Sequence, residues 1–146
     1  MKPVIVTVTV SYYYCTPHML IVPPCPRYSA FDEIIRDLGV HKVEVIGDAY
    51  FVTGGCPVQN DGVENAARCV ETALAFLRIL PQVTQGVKGD LIQIRIGMHS
   101  GPVVAGVVGV KDPRYHVFGE TVSYAEKMES HGIPGLVQVR NTQEHV

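Results

Sequence analysis

IQIRIGMHSGPVVAGVVG, residues 92–109, is the stretch on which the fold turns. Ile92, Ile94, Ile96 and Met98 alternate with Gln93, Arg95, Gly97 and His99, the period-two signature of a strand with an apolar face and a polar face. Ser100-Gly101-Pro102 reads as a turn into VVAGVVG, a second apolar strand that would return as a hairpin. On this reading Arg95 and His99 belong to a polar sheet face. Gly101, Gly106 and Gly109 serve packing and turns, and no GK[ST] follows them, which excludes a Walker-type phosphate loop.

Upstream, Asp61 and Glu64 form a capping box for a helix whose apolar stripe is Val63, Ala66, Ala67, Val70, Leu74 and Leu77, with Pro81 ending the run. Residues His41 to Thr53 read as a hairpin: Val43 and Val45 alternate with Glu44 and Ile46, and Gly47-Asp48 makes the turn. A helix is expected over Tyr28–Leu38, with Phe31, Ile34, Ile35 and Leu38 on one face, Ser29 at the start and Gly39 at the end. Val4 to Val10 suits a strand, and the four-proline stretch 11–29 suits irregular structure, with Tyr12 to Tyr14 as an irregular strand end. Downstream, Glu120–Ser130 predicts a short helix with Val122, Ala125 and Met128 or Glu129 on successive turns, and LVQVR (136–140) a last strand. The order strand, helix, hairpin, helix, hairpin, helix, strand predicts an α+β fold with helices on one face of the sheet.

Composition bounds the function. With 146 residues the chain holds one domain's core, and a net charge of −2 supplies no basic field for nucleic acid. A polyphosphate ligand would need local help from backbone amides, a metal or a few placed cations. Cys15, Cys25, Cys56 and Cys69 form no CxxC pair and read as reduced thiols in a cytosolic setting. The apolar segment Val4 to Val22 is broken by Ser11, a tyrosine run and Pro17, and so makes a poor membrane span.

Three stretches together resemble one family. HKVEVIGDAYFVTGG, IRIGMHSGPVVAGVVG and KDPRYHVFGETVSYAEKMES follow, in order and spacing, the catalytic domain of the class III nucleotidyl cyclases on their guanylate cyclase side, from about Tyr28 to Arg140. The resemblance implies a ferredoxin-like sheet and a site formed with a second cyclase domain, as a homodimer or heterodimer. It also implies closure of GTP to cyclic GMP and pyrophosphate, with Mg²⁺ or Mn²⁺ as cofactor. In that pattern residues 1–27 are a degenerate first strand and a proline-rich segment. Residues 28–146 are the catalytic domain, ending before the family's closing strands and its triphosphate-gripping lysine. The implied location is cytoplasmic, or the cytoplasmic face of a membrane within a longer protein.

The resemblance also distributes roles. Asp48 falls at the second metal-binding carboxylate, whereas Tyr12 stands where the first aspartate is expected, and a phenol is not an equivalent ligand for a hard cation. Glu44 falls at the residue that accepts hydrogen bonds from guanine N1 and N2. His116 takes the companion base-reading place, usually cysteine in guanylate cyclases. Ser123 and Lys127 occupy the places of an asparagine and an arginine that contact ribose and the transition-state phosphate. Lysine offers charge there without the planar fork. The alternative is a catalytically impaired pseudo-cyclase subunit that binds nucleotide or scaffolds an active partner.

Overall fold

The structure, a computed structural model, describes residues 5–13, 26–46, 49–58, 61–83 and 93–140. Its elements run β1 (Ile5–Tyr13), α1 (Pro26–Leu38), β2 (His41–Ile46), β3 (Ala49–Gly54), α2 (Gly62–Val83), β4 (Gln93–Gly101), β5 (Val104–Val108), β6 (Arg114–Phe118), α3 (Glu120–Ser130) and β7 (Val137–Val139). The first six form the βαββαβ unit of ferredoxin-like folds. They make a sheet of order β2-β3-β1-β4-β7, with β7 added parallel to the free edge of β4. The α+β class expected from the sequence holds. The stretch 92–109 differs in its pairing: β5 does not return on β4 but pairs with β6 in a separate two-stranded sheet. Both edges of β4 are already taken, by β1 on one side and β7 on the other.

The central strand also runs further than its β-branched start suggests. Tyr12 and Tyr13 pair with Ile94 and Gln93, because β4 is long enough to keep offering partners. Helix α1 begins at Pro26, where a missing N–H costs nothing in the first turn. It ends at Gly39, whose φ of 66° closes the turn. The N–H of Val40 reaches the Ile35 carbonyl at 3.2 Å and that of Gly39 the Arg36 carbonyl at 3.3 Å, the paired bonds of a Schellman cap.

Helix α2 is capped as expected by Asp61, whose Oδ2 accepts from the N–H groups of Val63 and Glu64 at 3.1 and 3.3 Å. Glu64 itself pairs with Arg68 one turn on. The helix continues through Pro81 to Val83 rather than stopping there. Its buried stripe is Asn65, Cys69, Thr72, Ala73, Phe76 and Leu80, while the expected stripe members Val63, Val70 and Leu74 are exposed. The sequence is apolar on both sides of this helix, so the phase is decided by what the sheet accepts: Phe76 stacks on Phe31 at 4.0 Å and meets Tyr50 edge-on. With Ile94, Ile96, Met98 and Val52 these residues make the main core between the sheet and the α1–α2 layer.

The expectation of helices on one face holds for α1 and α2 but not for α3. Helix α3 lies across the other, where Gly97 leaves room: a Cβ there would come 2.2 Å from the Ala125 carbonyl oxygen and the Glu129 nitrogen. Arg95 and His99, expected on an open polar face, are therefore covered. Arg95 Nε donates to Glu129 Oε1 at 2.8 Å, and its Nη1 to the Ser130 carbonyl at 3.1 Å. His99 is buried edge-on to Tyr124. Among the described residues no helix is long and apolar enough to cross a membrane.

Candidate functional site

A β-bulge builds one wall of the site. On β2, Lys42 pairs with Val52, but Glu44 pairs with Phe51, so two residues of β2 advance against one of β3. Such a bulge re-aims the side chains that follow it. Lys42 points toward α1, where it binds Asp32 at 2.7 Å. Glu44 turns instead to the opposite face, alongside Phe51, and Val43 packs there with Val117 and Val122.

The other walls come from β6 and α3. Gly119, with φ 141°, ends β6 and leads directly into α3. Thr121 Oγ1 donates to the Pro102 carbonyl at 2.6 Å, tying the start of that helix to the β4–β5 connection. The Arg95–Glu129 pair ties its end, with side chains only 15% and 8% exposed. Between these anchors α3 presents Val122, Ser123 and Glu126 to a cleft of about 270 Å³, which Glu44, Ala49, Phe51 and His116 also line. His116 Nδ1 stands 3.6 Å from Glu44 Oε1.

Thus Glu44, His116 and Ser123, far apart in sequence, meet in one cleft. Lys127 is not among its lining residues; its ammonium lies over the Tyr124 ring, 5.4 Å from the centroid. Asp48 lies outside the described residues, as does the expected Gly47-Asp48 turn. Sequence reasoning missed Phe51, Phe118 and Glu126. Glu126 was within reach, since it sits one helical turn from Ser123 on α3.

The chemistry of the lining is distinctive. Among the described residues its lining holds two carboxylates, Glu44 and Glu126, and the His116 imidazole, with no lysine or arginine. Such a cleft suits a flat ligand rich in N–H donors, not a polyphosphate. Its volume is also below the roughly 300–1,000 Å³ of pockets that enclose a whole ligand. Asp48, the carboxylate expected to hold a metal, lies outside the described residues. Among the described residues no group of three His, Cys, Asp or Glu side chains could hold a metal, and position 12 on β1 carries a phenol.

Nearby charges and burial perturb other groups. Burial opposes ionisation of Asp32, but hydrogen bonds from Lys42 and Tyr50 and the lysine's charge win and hold its carboxyl below the usual value. Burial, helped by Arg140, lowers His99. Burial pushes Tyr115 up to about 12, helped by its contact with Cys56 Sγ at 2.6 Å.

Comparison with known proteins places this architecture. Residues 4–146 match the model of the adenylate and guanylate cyclase catalytic domain. The guanylate cyclase soluble subunit beta-2 of Rattus norvegicus is 44% identical over 138 residues, covering 94% of this chain and 20% of that protein. The guanylyl cyclase C of Cavia porcellus is 44% identical over 131 residues, 89% of this chain and 12% of that protein. The chain thus spans about a fifth or less of the length of these curated relatives. Among solved structures, the guanylate cyclase domain of RhGC from Catenaria anguillulae in complex with GTP superposes with a TM-score of 0.82 at 29% identity, over 94% of this chain and 78% of that one. With this match over nearly its whole length, the chain belongs to the adenylate and guanylate cyclase catalytic domain family.

Proposed function

We propose that this chain is a guanylate cyclase catalytic domain that reads guanine with its own cleft and completes its site against a second cyclase domain. The gathering of Glu44, His116 and Ser123 in one acidic cleft is the observation that carries this reading. A carboxylate held there accepts from guanine N1–H and N2–H, a donor pair that adenine lacks. In the reaction, the ribose 3′-oxygen attacks the α-phosphorus, its proton passes to water, and the bond from the α-phosphorus to the bridging oxygen breaks as pyrophosphate departs. Ser123, on the helix bordering the cleft, would hydrogen-bond the ribose. Lys127, one turn further, would bring positive charge to the phosphates by leaving Tyr124. The RhGC domain that this chain resembles was solved with GTP, which supports GTP as ligand. By the family resemblance, Asp48 is a carboxylate that would hold Mg²⁺ or Mn²⁺. With Tyr12 in place of a second one, no catalytic step is assigned through a metal held by this chain alone.

Two observations favour a second reading, a pseudo-cyclase subunit that binds nucleotide and supports an active partner: the phenol at position 12 and the placement of Lys127 over Tyr124. One assay separates the two. Cyclic GMP formation from GTP and Mn²⁺ is measured for the chain alone and mixed with an intact cyclase domain, with ATP and Asp48→Ala as controls. Product from the chain alone, lost in Asp48→Ala, supports a complete catalytic domain. Product only in the mixture, again lost in Asp48→Ala, supports a half-site. No Asp48-dependent product in either, from folded protein, leaves the pseudo-cyclase.

A further inference from the structure

Helix α2 carries a second apolar stripe that its own domain does not bury. Val63, Ala67, Val70, Leu74 and Leu77 recur at spacings of four, three, four and three, the 3.5-residue period of a coiled-coil seam. The buried stripe of Asn65, Cys69, Thr72 and Phe76 stands two residues later at each step, about 200° around the helix. The seam is therefore turned away from the sheet. Val63 is 79% exposed, Val70 42% and Leu74 40%, while Leu77 lies at the edge where the core begins. Apolar surface repeated over about four turns and left in water marks a docking face.

Charges beside the seam select its occupant. Glu64, Glu71 and Arg78 form one exposed row, acidic at the start of the helix and basic toward its end. The opposite flank, Ala66, Ala73 and Leu80, is uncharged and packs on the core. In a parallel helix pair the charged row would meet that uncharged flank of the other helix, and the charges would gain nothing. In an antiparallel pair the two charged rows run side by side. With the two-fold axis at Thr72, Val70 packs on Leu74 of a second copy, Ala67 packs on Leu77, and Glu64 reaches Arg78 at both ends. A shift of one heptad toward the start of the helix sets Glu64 against Glu71 instead. Arg78 has no ion pair among the described residues, and Glu64 gives Oε1 to Arg68 while Oε2 stays open.

We propose that two copies of this chain associate through antiparallel α2 helices, with Glu64 of each paired to Arg78 of the other. A second copy is the occupant because a two-fold contact requires one surface that complements itself, as this row of charges does. The contact is separate from the cleft, whose lining includes no α2 residue, and so leaves the cleft open to its own partner. The two Glu71 carboxylates meet near the axis and oppose the pairing. One helix face also falls short of the roughly 800 Å² per partner of a standard interface, so the dimer is weak, on the order of 10–100 µM.

Sedimentation equilibrium of the full chain between about 5 and 300 µM reads the dimer directly. Val70→Glu with Leu74→Glu puts charge into the seam and should leave monomer throughout that range, with circular dichroism showing that the fold survives. Arg78→Glu should weaken the dimer about fivefold or more. Glu64→Arg combined with Arg78→Glu re-forms the pair in reverse and should recover it. Lys111→Glu makes the same charge change at an exposed residue between β5 and β6, and should have no effect. A wild type that stays monomeric over the whole range overturns the inference and leaves the seam to a different partner. A dimer that persists in the seam variant, or that Arg78→Glu and Lys111→Glu weaken equally, places the contact elsewhere on the chain and overturns it too.

Discussion

Gly97→Ala probes the contact that positions the site. The added Cβ would lie 2.2 Å from the Ala125 carbonyl oxygen and from the Glu129 nitrogen, where ordinary contact begins at 3.4 Å, so strand and helix must part by 3.4 − 2.2 = 1.2 Å. The strand has little freedom to move, since Gly97 pairs with Thr9 on one edge and Gln138 on the other. Helix α3 is held as well, by Thr121 on Pro102 and by the Arg95–Glu129 pair. Both obstacles are backbone atoms, so the upper end of the overpacking range applies, about 3 kcal/mol. For a chain of this size that is a fall in Tm of roughly 10 °C, or about 1.5 M in urea midpoint. Gly106→Ala is the control, because a Cβ there meets nothing within 4 Å. Thermal and urea unfolding of both variants, followed by circular dichroism, would check this. A Gly97→Ala protein within about 0.5 kcal/mol of Gly106→Ala, the usual spread for innocuous changes, would refute the close approach of α3 to β4.

Other expectations follow from single contacts. Arg95→Leu or Glu129→Leu should each cost about 3–5 kcal/mol by leaving a buried partner uncompensated. The double replacement Arg95→Leu with Glu129→Leu should recover much of that, as a double-mutant cycle in urea would reveal. Asp61→Ala removes the α2 cap and should cost about 1 kcal/mol in the same assay. Asp32 has a folded pKa below the ordinary carboxylate value of 3.8, so its stabilisation is present above that pH and disappears as pH falls through the lower folded value. The gap in urea midpoint between wild type and Asp32→Asn should therefore be open near neutrality and close on the acid side. Parallel curves down to low pH would contradict the Lys42–Asp32–Tyr50 contact.

Much of this could be read along the chain because it is local. Asp61 before a helical run and Gly39 after one act through their own backbone neighbours, so no tertiary knowledge was needed to place either end. The period-two run 93–98 likewise announced β4, and the extent of α3 followed from the helical spacing over Glu120–Ser130. The buried side of α2 did not follow. Val63, Val70 and Leu74 are as apolar as the residues that won, and only the aromatic pair Phe31 and Tyr50 across the interface selects Phe76 and its stripe.

The candidate site divides along the same line. Residue identities carried the family resemblance, and with it Glu44, His116 and Ser123 as residues worth finding together. Sequence alone thus determined the class of fold and which side chains are proposed to read guanine. Whether they meet was decided elsewhere. Glu44 reaches the cleft because a bulge, invisible to a period-two reading, turns it to the face of Phe51 rather than that of Val52. His116 reaches it because β5 and β6 pair with each other once both edges of β4 are filled. Ser123 reaches it because Gly97 admits a helix backbone, while Lys127 on that same helix comes to rest over Tyr124. Strand partners, bulges and close approaches depend on residues far apart in the chain competing for the same space, and that competition exists only once the chain has folded.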